Sequence, residues 1–337
     1  MLPPMHRFLL LLRRWLSSGP FFLLSFFLAA SASVAEPIKQ ASFIPLWLPQ
    51  AQFAGYYMAV EKGIYLKHGI DLTIIQGGPG RSPTEYLRDG RADFAALWLT
   101  SALQLRDEGP PLQHIAQVVQ QSSMLLVARK DSGIRTLADL AGKKVGLWGG
   151  DLDIPARSVF DQHGLQVQPV QQSATVNLFL RGGVAAVSAM WYNEYHNLLN
   201  AGLNEDELTV FPLKEHGANY PEDGLYTLEK TMARDPQLVA AFVRASQEGW
   251  DYAFAHPEET VDVMLRIIKD ARLPTNRMHQ RWMLARMQEL LRPMAGNRAG
   301  ELNRSDYQLV TQELHRRGLL REVPDYDVFV KGDHALR

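Results

Sequence analysis

Apolar and polar positions alternate along the chain in an order that predicts repeated α/β units. The stretch EKGIYLKHGIDLTII at 61–75 predicts a helix, a His-Gly stop and then a strand. The stretch ARSVFDQHGLQVQPV at 156–170 follows the same pattern. Glycine suits the position just past a helix end, where the backbone adopts a left-handed conformation. Both stretches therefore predict a helix, a turn and a strand in the same order.

A second pair of stretches repeats at nearly the same offset. LRDGRADFAALW at 87–98 and LRGGVAAVSAMW at 180–191 each predict a helix end, a glycine and a buried strand. Two matches in the same order indicate an internal duplication, in which each half alternates strands and helices around a parallel sheet. From Asp235 to about His315 the apolar residues recur at three- and four-residue spacing instead, which predicts a helical C-terminal region.

Capping residues mark the starts of two helices. Ser82 can cap a helix that begins at the following proline, and Glu85 completes a capping box. Thr136 and Asp139 form a second box. The glycine-rich loop at 77–80 precedes the first of these helices, where free backbone amides favour an anion. Because the loop lacks the lysine and hydroxyl residue of a P-loop, we interpret it as an ordinary turn.

Residues 1–35 have the composition of a secretory signal. They contain no Asp or Glu, they begin with basic residues that include an arginine pair at 13–14, and the apolar run FFLLSFFLAA follows. Small residues precede Glu36, as they do at a cleavage site. The alternative is a membrane anchor, but the arginine pair leaves too few apolar residues for a span of roughly 20. We therefore expect a periplasmic protein whose signal peptide is cleaved near Ala35.

Length and composition limit the classes of function. The chain has 337 residues and a formal net charge of −1, or about −4 without the three arginines of the signal segment. Such a charge offers no binding surface for nucleic acid. The absence of cysteine excludes disulfides and lipid attachment through an N-terminal cysteine. We find no motif for a metal site or a hydrolase, so we expect no metal and no cofactor. The mature length exceeds one usual core and predicts two lobes.

Four tryptophans occupy equivalent places in the two halves. Each stands at the end of a predicted strand, before a loop that leads into a helix: Trp47, Trp98, Trp148 and Trp191. Ligands of open parallel sheets bind at the carboxyl ends of the strands, so we expect two facing lobes to bring these rings to one cleft. Packing beneath loops is the alternative for each ring. An aromatic cleft suits a flat heterocycle or a cation. Trp250 and Trp282, in the helical region, are expected to be packing residues.

Polar residues follow these tryptophans and give the predicted cleft its chemistry. In chain order they are Gln52, Tyr56, Tyr57, Gly149, Asp153, Tyr192, Asn193 and Glu194. The carboxylate of Glu194 can accept two hydrogen bonds from an amino-substituted ring or pair with a cation. Asp153 stands just before a predicted helix, where a cap is favoured over a ligand contact.

Several motifs together resemble one family of periplasmic binding proteins. The resemblance runs from about Ala41 to residue 270 and rests on FAGYYMAVEKGIY, GRADFAALW, LLVARKDSGIRTLADLAGKKVGLW and MWYNEYHNLLNAGL. The family includes binders of taurine, alkanesulfonate, nitrate and thiamine-related pyrimidines. The run WYNEY at 191–195, together with YPEDGLY, is more similar to the branch of thiamine pyrimidine synthases and their transport relatives.

The resemblance implies a particular fold. That fold is an α/β, two-lobed periplasmic binding protein fold of type II-like organisation, with two crossing strands and C-terminal helices that return to the first lobe. We expect lobe 1 to comprise 36–125 plus 230–337 and lobe 2 to comprise 126–229. The crossings are expected near MLLVARK and DGLYTLE. Binding proteins of this kind close like a hinge on their ligand.

The resemblance also implies a function, and several alternatives stay open. It implies a solute-binding protein that hands a small molecule to an ABC permease and its ATPase. We expect a thiamine-related aminopyrimidine held by Glu194, or else a sulfonate, nitrate or other organic anion held near Gly77–Gly80 and Gly149–Gly150. Asp223 joins the candidate ligand residues, although Pro-Glu-Asp-Gly at 221–224 also fits a turn. A ligand-sensing subunit for a membrane receptor is another alternative, as is a synthase-like enzyme, against which the missing Cys-rich motif argues.

Overall fold

A computed structural model describes residues 37–293 and 298–332. The predicted signal peptide at 1–35 lies outside the described residues. Within the described ranges, no helix has the length and apolar character needed to cross a bilayer.

The strands follow the predicted order. They are β1 Lys39–Ile44, β2 Ile70–Ile74, β3 Phe94–Trp98, β4 Leu112–Gln117, β5 Met124–Arg129, β6 Lys144–Leu147, β7 Gln168–Gln171, β8 Ala186–Met190, β9 Leu208–Pro212 and β10 Asp223–Leu228. The α-helices are α1 Ala54–Glu61, α2 Ile64–Lys67, α3 Pro83–Arg88, α4 Leu99–Asp107, α5 Ile154–Gln162, α6 Asn177–Leu180, α7 Glu194–Asn200, α8 Glu229–Arg234, α9 Pro236–Ala255, α10 Pro257–Asp270, α11 Arg277–Leu290, α12 Arg304–Arg316 and α13 Tyr326–Phe329. Short 3-10 helices lie at Ala51–Phe53, Lys130–Ser132, Leu137–Leu140, Gly150–Asp153, Glu205–Glu207 and Leu213–His216.

Two sheets with the same internal order confirm the duplication. The first sheet has the order β2-β1-β3-β10-β4, and the second has the order β7-β6-β8-β5-β9. In each sheet the first three strands run parallel, and the strand inserted beside them runs antiparallel to both of its neighbours. The predicted glycine stops are also confirmed, because Gly69 has a φ of 77° and Gly164 a φ of 63°.

The chain passes between the two sheets twice, and both passages lie close to the predicted crossings. Residues 118–123 lead from β4 in the first sheet to β5 in the second. Residues 213–222 lead from β9 back to β10 in the first sheet. The lobe limits of 36–125 plus 230–337 and of 126–229 stay a prediction, and β10 lies in the first sheet although that prediction assigned it to lobe 2.

The C-terminal helices return to the first sheet, as expected. α9 packs so closely along α1 that a Cβ on Gly249 would lie 2.3 Å from the carbonyl oxygen of Gly55. The ring of Phe242 in α9 stacks on Phe94 of β3, with 3.9 Å between centroids. Trp250 is 4% exposed and packs edge-on against Tyr56, which confirms it as a packing residue. This packing fixes α1, and therefore the loop before it, against the first sheet.

Ser82 and Thr136 cap helix starts as predicted, whereas the bond from Glu85 that would complete the first capping box stays a prediction. Ser82 accepts a hydrogen bond from the backbone N–H of Glu85 (3.4 Å), and proline fills the first helical position. Thr136 and Asp139 form the predicted capping box, here around a 3-10 helix. The glycine-rich loop packs against the end of the first strand, since a Cβ on Gly77 would lie 2.5 Å from the carbonyl oxygens of Pro45 and Trp47.

Candidate ligand-binding site

The four predicted tryptophans all stand at the carboxyl ends of parallel strands. Trp98 is the last residue of β3, and Trp148 and Trp191 directly follow β6 and β8. Trp47 comes three residues after the end of β1. Since β1 and β3 are neighbours in one sheet and β6 and β8 are neighbours in the other, each sheet contributes two rings to the edge where ligands of this architecture bind.

The four rings differ in their surroundings. Trp98 is 3% exposed, whereas the other three are partly buried. Trp47 borders a cavity of about 300 Å³ together with residues 78–83, which include part of the glycine-rich loop. The carbonyl oxygen of Trp148 accepts a hydrogen bond from Gln171 of β7. The guanidinium of Arg286 in α11 lies over the ring of Trp191, 4.7 Å from its centroid. That all four rings line one cleft stays a prediction.

Asp223 occupies the point where the first sheet meets the crossing. It is the first residue of β10 and lies directly opposite Trp98 in the antiparallel register with β3. Its Oδ2 atom accepts a hydrogen bond from the side-chain amide of Gln52 (2.8 Å). Among the described residues, its Oδ1 atom and the Nε1 atom of Trp98 have no hydrogen-bond partner. A carboxylate oxygen and an indole N–H therefore lie close together at the end of β3, and neither makes a hydrogen bond of normal geometry with the described residues.

Burial raises the pKa of the Asp223 carboxyl to about 6, and the Gln52 amide opposes that shift. The indole N–H of Trp98 also favours the charged form, although its geometry falls short of a hydrogen bond. Asp223 is 3% exposed. A carboxylate that is buried without a cationic partner is costly, and its cost falls when a ligand supplies donors or positive charge.

Glu222, the last residue of the second crossing segment, is hydrogen-bonded to the first crossing segment. Its carboxylate accepts hydrogen bonds from the backbone N–H of Ser123 (2.5 Å), from the Ser123 hydroxyl (2.8 Å) and from the Ser122 hydroxyl (3.3 Å). Burial, followed by the charge of Asp223, raises the pKa of Glu222 to about 8. The interpretation of residues 221–224 as a turn is therefore wrong: Asp223 already belongs to a strand, and Glu222 fastens one crossing to the other.

Two buried tyrosines share the surroundings of Asp223. Tyr56 lies in α1, and Tyr192 lies in the loop that follows β8. Burial raises the pKa of both phenols, and the charge of Asp223 raises both further. Glu222 and Glu194 also act on the pKa of Tyr192. The charges of Glu194, Glu222 and Asp223 all act on Tyr192, and we define these three carboxyls as the acidic cluster.

Glu194 is buried, but both of its carboxylate oxygens are engaged within the chain. Oε2 accepts a hydrogen bond from the backbone N–H of Met190 (3.0 Å), and Oε1 accepts one from the Asn193 amide (2.8 Å). Burial raises the pKa of this carboxyl to about 7. Glu194 therefore closes the loop between β8 and α7, and its contact with a ligand stays a prediction.

The remaining candidates lie apart from the acidic cluster. Asp153 occupies the capping position of α5, but its side chain makes no capping bond and instead accepts a hydrogen bond from Arg157 (2.7 Å). Gly149 has a φ of 82° and lies against the side chain of Gln171. Tyr57 is partly buried, and burial raises its pKa. None of these three is joined to Asp223 by a described contact.

Electrostatics distinguish this region from the rest of the protein. Each member of the acidic cluster has a raised pKa whose main cause is burial, and no lysine or arginine of the described ranges contributes to any of the three. Within those same ranges, no group of three or more His, Asp or Glu has the arrangement of a metal site. A cavity of about 860 Å³ lies elsewhere, between β4, α9 and the end of α11.

Sequence reasoning missed Glu222 as a site residue and underrated Asp223. The only local signal was the Pro-Glu-Asp-Gly run, which is also typical of a turn. The pairing of Gln52 with Asp223 joins residues 171 positions apart, so no short-range pattern could reveal it.

The fold is shared with solved structures of periplasmic binding proteins. The periplasmic aliphatic sulphonate binding protein SsuA from Escherichia coli superposes with a TM-score of 0.66 at 15% identity, over 87% of this chain and 92% of that chain. The chain therefore has the two-lobed periplasmic binding protein fold predicted from its sequence.

Sequence comparison then places the chain in a family. The profile described as "NMT1/THI5 like" matches residues 50–260, and the chain belongs to this family. The riboflavin-binding protein RibY of Chloroflexus aurantiacus is 27% identical over 256 residues, which are 73% of this chain and 71% of the relative. The formylaminopyrimidine-binding protein of Halalkalibacterium halodurans is 24% identical over 254 residues, which are 72% and 75% of the two chains.

Proposed function

We propose that this protein is a periplasmic solute-binding protein whose ligand is a flat nitrogen heterocycle, of the thiamine-related aminopyrimidine class. The observation that carries the proposal is the pair of unpartnered groups at the end of β3, the Oδ1 atom of Asp223 and the indole N–H of Trp98. An aminopyrimidine presents an amino donor beside a ring-nitrogen acceptor, so it can satisfy both groups at once. Tyr56 and Tyr192 add aromatic surface near the same point.

Two relatives are consistent with a heterocyclic ligand. One is named for riboflavin and the other for a formylaminopyrimidine, and both of these compounds contain a flat ring with adjacent nitrogen donors and acceptors. Glu194 remains a proposed second contact, which requires that one of its internal hydrogen bonds be exchanged for one to the ligand.

The charge of the cluster argues against the alternative of a sulfonate, nitrate or other organic anion. The carboxyl of Asp223, whose pKa of about 6 lies below neutral pH, is ionised and repels a negative ligand, whereas Glu194 and Glu222, with pKa values of about 7 and about 8, are half and largely protonated there. The glycine-rich loop at 77–80 packs on the backbone of Pro45 and Trp47, so close packing explains why its first residue is a glycine.

A ligand panel tests the proposal. The mature protein is scanned by thermal shift with 4-amino-5-hydroxymethyl-2-methylpyrimidine, riboflavin, taurine, an alkanesulfonate and nitrate. A ligand at about 100 times its Kd stabilises the folded state by roughly 2.7 kcal/mol, so a true ligand gives a clear shift. We expect a shift with the pyrimidine. A shift with a sulfonate, and with none of the heterocycles, refutes the proposed ligand class.

A pair of variants then tests the site itself. Asp223→Asn keeps the shape of the side chain but removes its charge, and we expect it to weaken pyrimidine binding by roughly 10- to 100-fold, the contribution of a hydrogen bond to a charged group. Asp251→Asn is the matched control, because Asp251 is exposed on α9. Equal affinity of the two variants in calorimetry excludes Asp223 as the ligand contact.

We further propose that the protein delivers its ligand to an ABC permease with its ATPase and has no enzymatic activity. The similarity to periplasmic binding proteins supports this role. A gene for a permease beside the gene for this chain is expected, whereas a kinase or cyclase gene favours the sensing alternative. Mass spectrometry of the protein after incubation with iron tests the synthase alternative, since loss of mass from a histidine indicates self-consumption.

A further inference from the structure

Helix α11 belongs structurally with the first sheet. It packs against α10, α9 and the 3-10 helix at Ala51–Phe53. The side-chain oxygen of Gln280 accepts a hydrogen bond from the backbone N–H of Ala51 (2.7 Å), and Gln280 is 2% exposed. The start of α11 is thus fixed to the loop that carries the first-sheet candidates Trp47 and Gln52.

The opposite face of α11 contacts the start of α7, the helix that follows strand β8 of the second sheet. The Nε2 atom of His279 lies 3.0 Å from the Oδ1 atom of Asn193. Because an amide oxygen only accepts, His279 donates through Nε2, and its Nδ1 lies 3.0 Å from the Nδ1 of His196. The indole N–H of Trp282 donates to the carbonyl oxygen of Trp191 (2.9 Å).

Aromatic and cationic contacts reinforce these hydrogen bonds. The ring of Trp282 stacks on that of His196, with 4.9 Å between centroids and 22° between planes. The guanidinium of Arg286 lies 4.8 Å from the centroid of Trp282 and 4.7 Å from that of Trp191. Arg286 therefore joins one indole from each side of the contact by attraction to both ring faces.

The end of α11 is fastened to the hinge. The backbone N–H of Gln120, in the first crossing, donates to the carbonyl oxygen of Leu290 (3.1 Å). The backbone N–H of Trp191 donates to Ser123 in the same crossing (2.9 Å). α11 therefore runs beside the crossing segments and is tied to both sides of the hinge that they form.

We propose that α11 is a noncovalent strap between the lobes, in which His279, Trp282 and Arg286 act as positioning residues for the second lobe. These residues act through residues 191–196 and do not need to touch the ligand. By holding the start of α7, the strap sets how readily the lobes separate. If the protein binds a solute between its lobes, as proposed above, the strap also slows dissociation of that solute.

The absence of cysteine from the sequence makes the proposal directly testable. Val60→Cys and Ala174→Cys introduce two label sites, one exposed on α1 and one in the exposed loop between β7 and α6. Spin labels at these sites report the distance between the lobes without any ligand. Trp282→Phe removes the N–H donor with its five-membered ring and keeps one aromatic ring, and Trp282→Ala removes all aromatic surface. The exposed Met278→Ala on the same helix is the matched control.

We expect the label distance to lengthen and broaden in the order Met278→Ala, Trp282→Phe, Trp282→Ala. Loss of one buried hydrogen bond changes an equilibrium constant by roughly fivefold, so Trp282→Phe already shifts the population measurably. Far-ultraviolet circular dichroism confirms that each variant is folded. Folded Trp282 variants with the distance distribution of the control overturn the proposal.

Ligand kinetics provide a second readout. With 4-amino-5-hydroxymethyl-2-methylpyrimidine as the probe, Trp282→Phe is expected to raise the dissociation rate severalfold and to leave the association rate nearly unchanged. A change confined to the association rate overturns the positioning role. If the probe fails to bind the parent protein, the proposed ligand is wrong, while the label distances still decide whether the strap exists.

Discussion

Replacement of Asp223 by asparagine is expected to stabilise the ligand-free protein while it weakens ligand binding. The carboxyl is 3% exposed, and one of its oxygens has no partner in the described part of the chain. Its burial is therefore a cost to folding whenever the group is ionised. Asparagine retains an oxygen that can accept the hydrogen bond from Gln52, so the substitution removes the charge and keeps the contact.

The magnitude follows from the pKa. Burial raises the pKa of Asp223 from 3.8 to about 6, and a shift of one pH unit corresponds to about 1.4 kcal/mol. The folded state thus binds the proton more tightly than the unfolded state, so the stability due to this group is fully present below pH 3.8 and is lost as the pH rises to 6. Above that window the charge costs up to about 3 kcal/mol, which Asp223→Asn recovers.

Urea unfolding at several pH values measures this effect. At pH 3 the parent and Asp223→Asn are expected to have similar free energies of unfolding, because the carboxyl is largely protonated in both states. The advantage of the variant then grows by about 1.4 kcal/mol per pH unit up to pH 6 and stays constant above it. The exposed-acid variant Asp251→Asn is the control and should show no such growth. An advantage that does not change between pH 4 and pH 7 refutes the assignment of a buried, unpaired charge.

Three further substitutions test other parts of the structure. Glu194→Ala leaves the N–H of Met190 without its acceptor and should lower the free energy of unfolding by about 1–3 kcal/mol; unchanged stability with lost binding would make Glu194 a ligand contact instead. Gly249→Ala places a Cβ 2.3 Å from Gly55 and should cost about 1–3 kcal/mol in urea unfolding, and no loss would mean that α9 packs differently. Burial and His196 lower the pKa of His279 from 6.5 to about 4, so the stability due to the neutral ring is lost as the pH falls through that range. His279→Gln should therefore make the free energy of unfolding less dependent on pH between 6.5 and 4. An unchanged pH dependence contradicts the assignment of a buried, neutral His279.

The features that could be predicted from the sequence are those that short stretches determine. A glycine after a helix, a capping serine and an apolar run of five residues each report their own backbone, so the turns at Gly69 and Gly164 and the ends of β3 and β8 were accessible. The duplication made the topology predictable as well, because two copies of the same succession of strands and helices imply two sheets with the same strand order.

The acidic cluster could not be predicted, because it depends on register between distant strands. Asp223 meets Trp98 only because β10 inserts antiparallel beside β3. A shift of one residue in that pairing turns the carboxylate to the other face of the sheet. Glu222 likewise gains its partners from Ser122 and Ser123, about 100 residues earlier, at a crossing that no periodic pattern describes.

The run WYNEY at 191–195 shows how one short segment serves two purposes. Tyr192 lies near the carboxylates of the acidic cluster, whereas Trp191 and Asn193 contact α11. Residues in a loop do not alternate regularly between faces, so no periodic pattern separates the residues that contact α11 from Tyr192. The ligand role predicted for Trp191, Tyr192, Asn193 and Glu194 stays a prediction, and Trp191 and Asn193 also contact α11.

This division also explains why the second copy departs from the first after its strand-end tryptophan. α4 begins directly after Trp98, whereas three residues separate β8 from α7. Trp191 and Asn193 of those three residues, together with His196 in α7, contact α11, a helix outside the duplicated region. Because α11 occurs once and contacts both halves of the chain, two identical copies of the duplicated unit cannot each provide the residues that it contacts. The departure from the duplication thus supplies the contacts with α11, and the role of Tyr192 in ligand specificity stays a prediction.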